Sequence, residues 1–160
     1  VVGGGSDGLL AVAAARAMGL QVDLAARHDH QRLAGERLGA GVPRGRYEVV
    51  VEAAGPYSAL ADNVRSAEIG GRIAMLGVAH EDRRIPGIPF MMNELTMVGF
   101  NWYGNGPDGH EFAQAAAVLA ADPDIAATVI THRFPLADAA EAFRVAADRA
   151  DGAIKVVLEP

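Results

Sequence analysis

Cysteine is missing altogether from the 160 residues. Its absence excludes disulfide staples, thiolate metal sites and cysteine nucleophiles within the chain, and it points to a reducing, cytoplasmic setting. An excess of positive charge is missing too: 14 Lys and Arg against 20 Asp and Glu leave a formal net charge of −6. That balance argues against nucleic acid, whose binding favours a basic face. It leaves room for a phosphate ligand, because one pocket can be locally positive. Nor is there any apolar run near the roughly 20 residues that a bilayer-spanning helix needs, so no membrane partner is expected. What remains is a chain with 51% hydrophobic and 21% charged residues. Such a composition buries a core and folds as one globular domain.

Apolar segments and glycines alternate in the manner of β-α-β units. Val1-Val2 reads as the tail of a strand, and the start as a truncation of that strand, since strands typically run about 5–6 residues. Leu9 to Met18 reads as an alanine-rich helix stopped by Gly19. Gln21 to Ala26 reads as a second strand, and Asp29 as the cap of a helix that reaches Leu38 and ends at Gly39. Tyr47 to Ala53 is a nearly continuous apolar strand, as expected where both faces of a parallel sheet are covered. A helix is expected over Ser58 to Ala67, then a turn at Gly70-Gly71 and a strand from Arg72 to Gly77. A loop carrying Pro86 and Pro89 leads to a strand over Thr96 to Phe100. Helices at His110–Ala121 and Ala137–Ala147 and a strand at Ile154–Leu158 complete the pattern. The stretch from Ala40 to Tyr47 is too short for a third strand and helix, because a parallel crossover needs about a dozen residues. One edge of the sheet should therefore be stripped down.

Gly3-Gly4-Gly5-Ser6-Asp7-Gly8 fits G-x-G-x-x-G between a strand and a helix. In that setting Gly3 permits the tight turn, Gly5 lets backbone approach a pyrophosphate, and Gly8 lets helix and strand pack closely. The N–H groups of Ser6 and Asp7 then face the phosphates at the positive end of the helix. Eighteen residues after Gly8, where an NAD enzyme holds the ribose with an acid, stands Ala26, followed by Arg27-His28. Removing the acid removes repulsion toward a 2′-phosphate, and Arg27 can bind one, with His28 or Arg32 as a second donor. The alternative is an ordinary solvated arginine. NADP is thus expected ahead of NAD.

No catalytic residue and no metal ligand is assigned in the chain. His28, His30, His80, His110 and His132 are scattered without metal-site spacing. Ser6 sits in a phosphate turn rather than a nucleophile elbow. Asp108 and Glu111 read as helix-start acids.

The order of these segments resembles the zinc-type medium-chain alcohol dehydrogenase/reductase family. The matching stretches are VVGGGSDGLLAVAAARAMG, RLAGERLGAG, YEVVVEAAG, GGRIAMLGV, ELTMVGF and THRFPLADAAEAF…GAIKVVLEP, which together cover nearly the whole chain. The resemblance implies the nucleotide-binding, C-terminal half of such an enzyme. Its fold would be a Rossmann-type doubly wound parallel sheet of five or six strands over residues 1–130. Residues 131–160 would return to a catalytic domain that lies outside the chain and carries any zinc.

The resemblance also implies roles for individual residues. Ala53 and Ala54 would form the ribose and nicotinamide wall, and Leu76, Gly77 and Val78 the backbone that holds the carboxamide. Phe100, Asn101 and Trp102 would close over the same ring, and Lys155 would reach back to the pyrophosphate. The whole enzyme would transfer hydride between a nicotinamide cofactor and an alcohol, a polyol or its carbonyl product, and this half alone would be inactive. The edge strand and its aromatic exit, 96–103, would pair with a second copy to make a homodimer or part of a tetramer. Asp7, Ala26 and the short 40–47 segment depart from the family pattern. A zinc-free quinone or enoyl reductase of the same superfamily and a non-catalytic NADPH-binding module remain the competing readings.

Overall fold

Hydrophobic residues at helical spacing build the first layer. Helix α1 (Ser6–Ala17) buries Gly8, Leu9, Val12 and Ala13, and helix α2 (Asp29–Arg37) buries Gln31, Ala34 and Gly35. In the computed structural model, which describes residues 1–55, 57–78, 82, 84–100, 104–106, 109–148 and 152–160, these faces close over Leu24, Leu38 and Ala40. Strand β1 (Tyr47–Glu52), helix α3 (Tyr57–Ser66), strand β2 (Ala67–Met75), helix α4 (Gly87–Met92) and strand β3 (Thr96–Gly99) follow. Val50, Val64, Ala67, Ile73 and Leu95 form a second apolar cluster there.

β1, β2 and β3 form a parallel sheet in that order. The sheet continues past β1 through single bridges. Val2 pairs in parallel with both Glu52 and Ala25, and Asp23 with Gly41. Ladder-type hydrogen bonds tie these residues together, among them Val2 N to Val51 O, Gly3 N to Ala25 O and Leu24 N to Gly41 O. The sequence of neighbours is therefore Gly41, Asp23–Ala25, Val2, β1, β2, β3, all parallel. The chain works outward from Val2 in one direction, then returns to the other side for β1. This is the doubly wound, Rossmann-type α/β arrangement, and its direction reverses between Val2 and β1.

The stripped edge is real. Gly41 is all that stands for a third strand, and a side-chain knot holds it. The Tyr47 hydroxyl donates to Asp23 Oδ2 at 2.7 Å and accepts from Arg44 N–H at 2.6 Å. The expected strand over Gln21–Ala26 is present as bridges rather than as a full ladder, because Val2 and Gly41 each offer only one residue to pair with.

Several boundaries differ from expectation. β2 starts at Ala67, straight after α3, instead of at Arg72. Ala67 pairs with Tyr47, and the register then jumps to Val49↔Arg72, so the Gly70-Gly71 turn is absorbed as an irregularity inside the strand. Asp29 is the first helical residue of α2 rather than its cap; His28 holds the cap position without a side-chain bond. The Pro86–Pro89 loop contains α4, entered with Pro86 at the cap.

After the short strands β4 (Asn105–Gly106) and β5 (Gly109–His110) comes helix α5 (Glu111–Ala121). Helix α6 (Pro123–Val129) follows, and no helix is expected there from periodicity. Its signal is local: the Asp122 side chain accepts from Asp124 N–H at 3.1 Å and Pro123 opens the first turn, the pairing favoured at helix starts. Ile125 and Val129 then join the α1–α2 cluster. Strand β6 (Ile130–Pro135), a 3-10 turn (Leu136–Asp138), helix α7 (Ala139–Ala147) and strand β7 (Lys155–Glu159) end the chain. Among the described residues β6 and β7 pair in parallel with each other and not with β1–β3. No described helix is long and apolar enough to cross a membrane.

Candidate functional site

In an open parallel sheet a ligand binds beyond the carboxyl ends of the strands, at the point where the winding direction reverses. Here that point lies between the Gly3–Gly8 turn, which leaves the Val2 bridge, and the Ala53–Gly55 loop, which leaves β1.

The three motif glycines meet different demands. Gly3 has φ +111°, and a Cβ there would lie 2.6 Å from the Ala53 carbonyl carbon. A Cβ on Gly8 would overlap the Gly3 carbonyl oxygen. These two let the start of α1 press onto the strand. Gly5 is different: with φ −76° and ψ −175° it has ordinary extended backbone, and a Cβ would meet nothing within 4 Å. Gly4 is a further tight position, where a Cβ would come within 2.6 Å of the Ala26 Cβ and 2.7 Å of the Gln31 Cβ.

Gly5 caps α1 with no side-chain bond, so the first N–H groups of the helix lack the usual capping partner. Asp7 is exposed in the first turn. Ser6 turns the other way, and its hydroxyl donates to the Ile154 carbonyl at 3.0 Å. That bond brings Lys155, one residue further, beside the helix start, with its side chain exposed.

At the exit of the second strand Ala26 packs toward Gly4, while Arg27 is exposed. Arg32 is committed to the same loop. One guanidinium nitrogen donates to the carbonyls of Ala26 and Arg27, each at 3.0 Å, and another pairs with Asp29. Arg32 thus shapes the turn that presents Arg27. His28 stacks on His30 with ring centroids 5.4 Å apart.

The far wall is built on a residue that the sequence reading passed over. Glu52, the last residue of β1, is fully buried, and its Oε1 accepts the N–H groups of Ala54 and Gly55, each at 2.8 Å. The Glu52 carbonyl accepts from Leu76 and Gly77 N–H, each at 2.8 Å. A Cβ on Gly77 would lie 2.7 Å from Glu52 Oε2, and one on Gly55 would lie 3.3 Å from the Val78 carbonyl oxygen. One acid therefore ties the 53–55 loop to the 76–78 segment. Its signal in the sequence is an acid closing the apolar run of YEVVVEA, ahead of Gly55.

Leu76 and Val78 present apolar surface at this wall, 39% and 78% exposed. The segments that carry the residues read from the sequence adjoin one another: Gly3 and Gly8 lie against Ala53, Gly4 against Ala26, and Glu52 joins the Ala54–Gly55 turn to Leu76 and Gly77. Arg27 and Lys155 stand beside these segments. Phe100 is exposed at the end of β3; Asn101 and Trp102 lie outside the described residues. Among the described residues no three His, Asp or Glu side chains converge to hold a metal ion.

A strand–glycine turn–helix unit at the reversal point of a doubly wound parallel sheet defines a Rossmann-type α/β domain. The chain is 34% identical over 138 residues to an L-threonine 3-dehydrogenase of Saccharopolyspora erythraea, covering 86% of this chain and 38% of that protein. It is 30% identical over 122 residues to an L-arabinitol 4-dehydrogenase of Aureobasidium melanogenum, covering 76% of this chain and 31% of that one. A zinc-binding dehydrogenase structure from Sinorhizobium meliloti 1021, described as bound to NADP, superposes with a TM-score of 0.78 at 26% identity, over 99% of this chain and 51% of that one. No protein-family model matches the chain. Sequence and fold together place the chain in the medium-chain alcohol dehydrogenase/reductase family, and it spans 31% to 38% of the length of the two curated relatives.

Proposed function

We propose that this chain holds NADP in the crevice between the Gly3–Gly8 turn and the Ala53–Gly55 loop. It would be the cofactor-binding half of an oxidoreductase acting on an alcohol, a polyol or the corresponding carbonyl compound. The observation that carries the reading is Gly5. Neither its backbone angles nor its protein neighbours call for glycine, whereas a diphosphate laid against the start of α1 would. A bound anion there also accepts from the uncapped N–H groups and meets the positive end of the helix dipole.

When bound, the nicotinamide supplies the hydride exchange. The chain's own residues bind and orient it: backbone at 5–8 holds the diphosphate, Lys155 adds charge beside it, and Ala53, Ala54 and Leu76–Val78 shape the ring's pocket and exclude water. Asn101 and Trp102 would close that pocket. The names of the two curated relatives, dehydrogenases of L-threonine and L-arabinitol, support a small hydroxylated substrate.

The preference for NADP rests on Ala26 and Arg27. A carboxylate at position 26 would accept from the ribose hydroxyls and repel a phosphate; alanine does neither. The exposed Arg27 can bind a 2′-phosphate bidentately, and a tenfold preference needs only about 1.4 kcal/mol. Calorimetric titration with both cofactors tests this. The native chain should bind NADP at least tenfold more tightly than NAD. Arg27→Ala should erase the difference and Ala26→Asp should reverse it. Equal affinities, unchanged in Arg27→Ala, would sink the NADP assignment.

A further inference from the structure

Resting on that reading of the cofactor, we infer that Ser6 and Thr131 are positioning residues for Lys155. Their hydroxyls clamp the backbone of Ile154 and Lys155 against the first turn of α1, and so fix the base of this lysine at the diphosphate end of the crevice. The clamp makes the β6–β7 pair part of the cofactor site, although that pair shares no ladder with β1–β3 among the described residues. Thr131 is freed for the task by an irregularity in its strand. Ile130 pairs with Lys155 and His132 with Val156, so Thr131 has no opposite number in the ladder; a bulge of this kind re-aims a side chain. The Thr131 hydroxyl accepts from Ile154 N–H at 3.0 Å and donates to the Lys155 carbonyl at 3.2 Å. That uses the hydroxyl's one proton, so His132 Nδ1, 2.9 Å away, donates to the same oxygen. Ser6 works from the other side. Its hydroxyl donates to the Ile154 carbonyl at 3.0 Å, and the Ile154 side chain packs against the α1–α2 cluster.

The Ile154 carbonyl and the Lys155 Cα lie in one peptide plane, so Ser6 holds the root of the lysine side chain rather than a remote part of the strand. Lys155 is exposed, and its ammonium makes no ion pair among the described residues. A lysine stem loses rotamer freedom whenever its ammonium is held. With the backbone already fixed at the helix start, only the side chain has to be ordered when an anion binds there. Without the clamp the strand end must be ordered too, and part of the attraction is lost. A serine that merely supports the fold would weaken binding whether or not the lysine is present. One acting through Lys155 matters only while the lysine is there.

The experiment measures NADP affinity by calorimetry for the 160-residue chain, for Ser6→Ala, for Lys155→Met and for the double variant. Lys155→Met should bind about fivefold more weakly, the upper worth of an exposed ion pair, and Ser6→Ala about threefold more weakly. In the Lys155→Met background Ser6→Ala should add less than about 1.5-fold, the mark of two residues acting as a unit. Lys155 is the chain's only lysine, so carbon-13-labelled lysine gives a single Cε signal. That signal should move when NADP is added to the native chain, and move less in Ser6→Ala. Losses that add, a Lys155→Met protein that binds as the native one does, or a lysine signal indifferent to NADP would each overturn the inference and leave the cofactor reading standing. A native chain that binds no NADP would overturn the cofactor reading itself, and the inference with it. If Ser6→Ala does not fold, Thr131→Val decides, because it removes the second hydroxyl at nearly constant shape. Its loss should likewise vanish in the Lys155→Met background, and a loss that persists there refutes the clamp.

Discussion

The carbonyl oxygen of Gly3 occupies the space that a Cβ of residue 8 would need. Helix α1 can start where it does only because residue 8 has no side chain, and the same contact fixes the turn that Gly5 tops. The two glycines should therefore fail differently. Gly8→Ala forces backbone against backbone, and its cost should reach or exceed the ~3 kcal/mol upper end of ordinary overpacking. Gly5→Ala meets no protein atom and has unstrained angles, so its melting temperature should stay near the native value while cofactor affinity falls tenfold or more. Denaturation and calorimetric titration of the two variants, side by side, check this. A Gly5→Ala protein that binds NADP normally would remove the main support for the diphosphate site.

The Tyr47–Asp23 bond closes the sheet edge where a full strand is lacking. Tyr47→Phe removes a hydrogen bond to a carboxylate and leaves Arg44 N–H without its acceptor, for an expected loss of about 1–2 kcal/mol. Chemical denaturation monitored by circular dichroism would read it.

The same tyrosine gives an alkaline pH dependence. Burial raises the Tyr47 hydroxyl above its usual value of 10.0, and the hydrogen bond to Asp23 raises it further. The folded state then holds the proton more tightly than the unfolded chain. The stabilisation is complete below pH 10, the unfolded value, and is lost as pH climbs through the higher folded one. Melting temperature followed from pH 8 upward should fall more steeply in the native chain than in Tyr47→Phe. Parallel slopes would show that Tyr47 is not the group responsible.

Asn63 is fully buried in α3, and neither its amide nitrogen nor its amide oxygen has a hydrogen-bond partner among the described residues. Leaving such groups unsatisfied costs about 1–3 kcal/mol. Asn63→Leu, which keeps the branched four-atom side chain and is wholly apolar, should raise stability by about that amount less the cost of fitting its larger methyl groups. A neutral or destabilising result would mean that the amide finds partners in solution.

β3 pairs on one side only among the described residues, and Val98 and Phe100 leave apolar surface there, 40% and 62% exposed. We propose that a second copy pairs along this edge, as unprotected edge strands tend to do. Sedimentation should show a dimer for the native chain and a monomer for Val98→Lys. A native chain that stays monomeric at high concentration would refute the pairing.

The linear chain was enough to establish the alternation of strands and helices, the turn at Gly3–Gly8 and the shortened stretch before Tyr47. Each depends on residues close in sequence: glycine spacing, apolar periodicity and the length of a crossover. The long helices α1 and α5 were legible for the same reason. What only tertiary structure decided is set by contacts across many residues. The second strand is reduced to bridges because its neighbours Val2 and Gly41 are themselves single residues. α6 takes its place because Ile125 and Val129 find the α1–α2 cluster. Arg32, chosen from sequence as a phosphate donor, is held by the Ala26 and Arg27 carbonyls and by Asp29, which the bare order of residues does not reveal. Glu52 is the clearest instance. In sequence it is one acid among 20 acidic residues, and its significance comes from burial between two loops that lie more than 20 residues apart in the chain. Local propensity reads off a string; a buried charge is defined by the partners that folding brings to it.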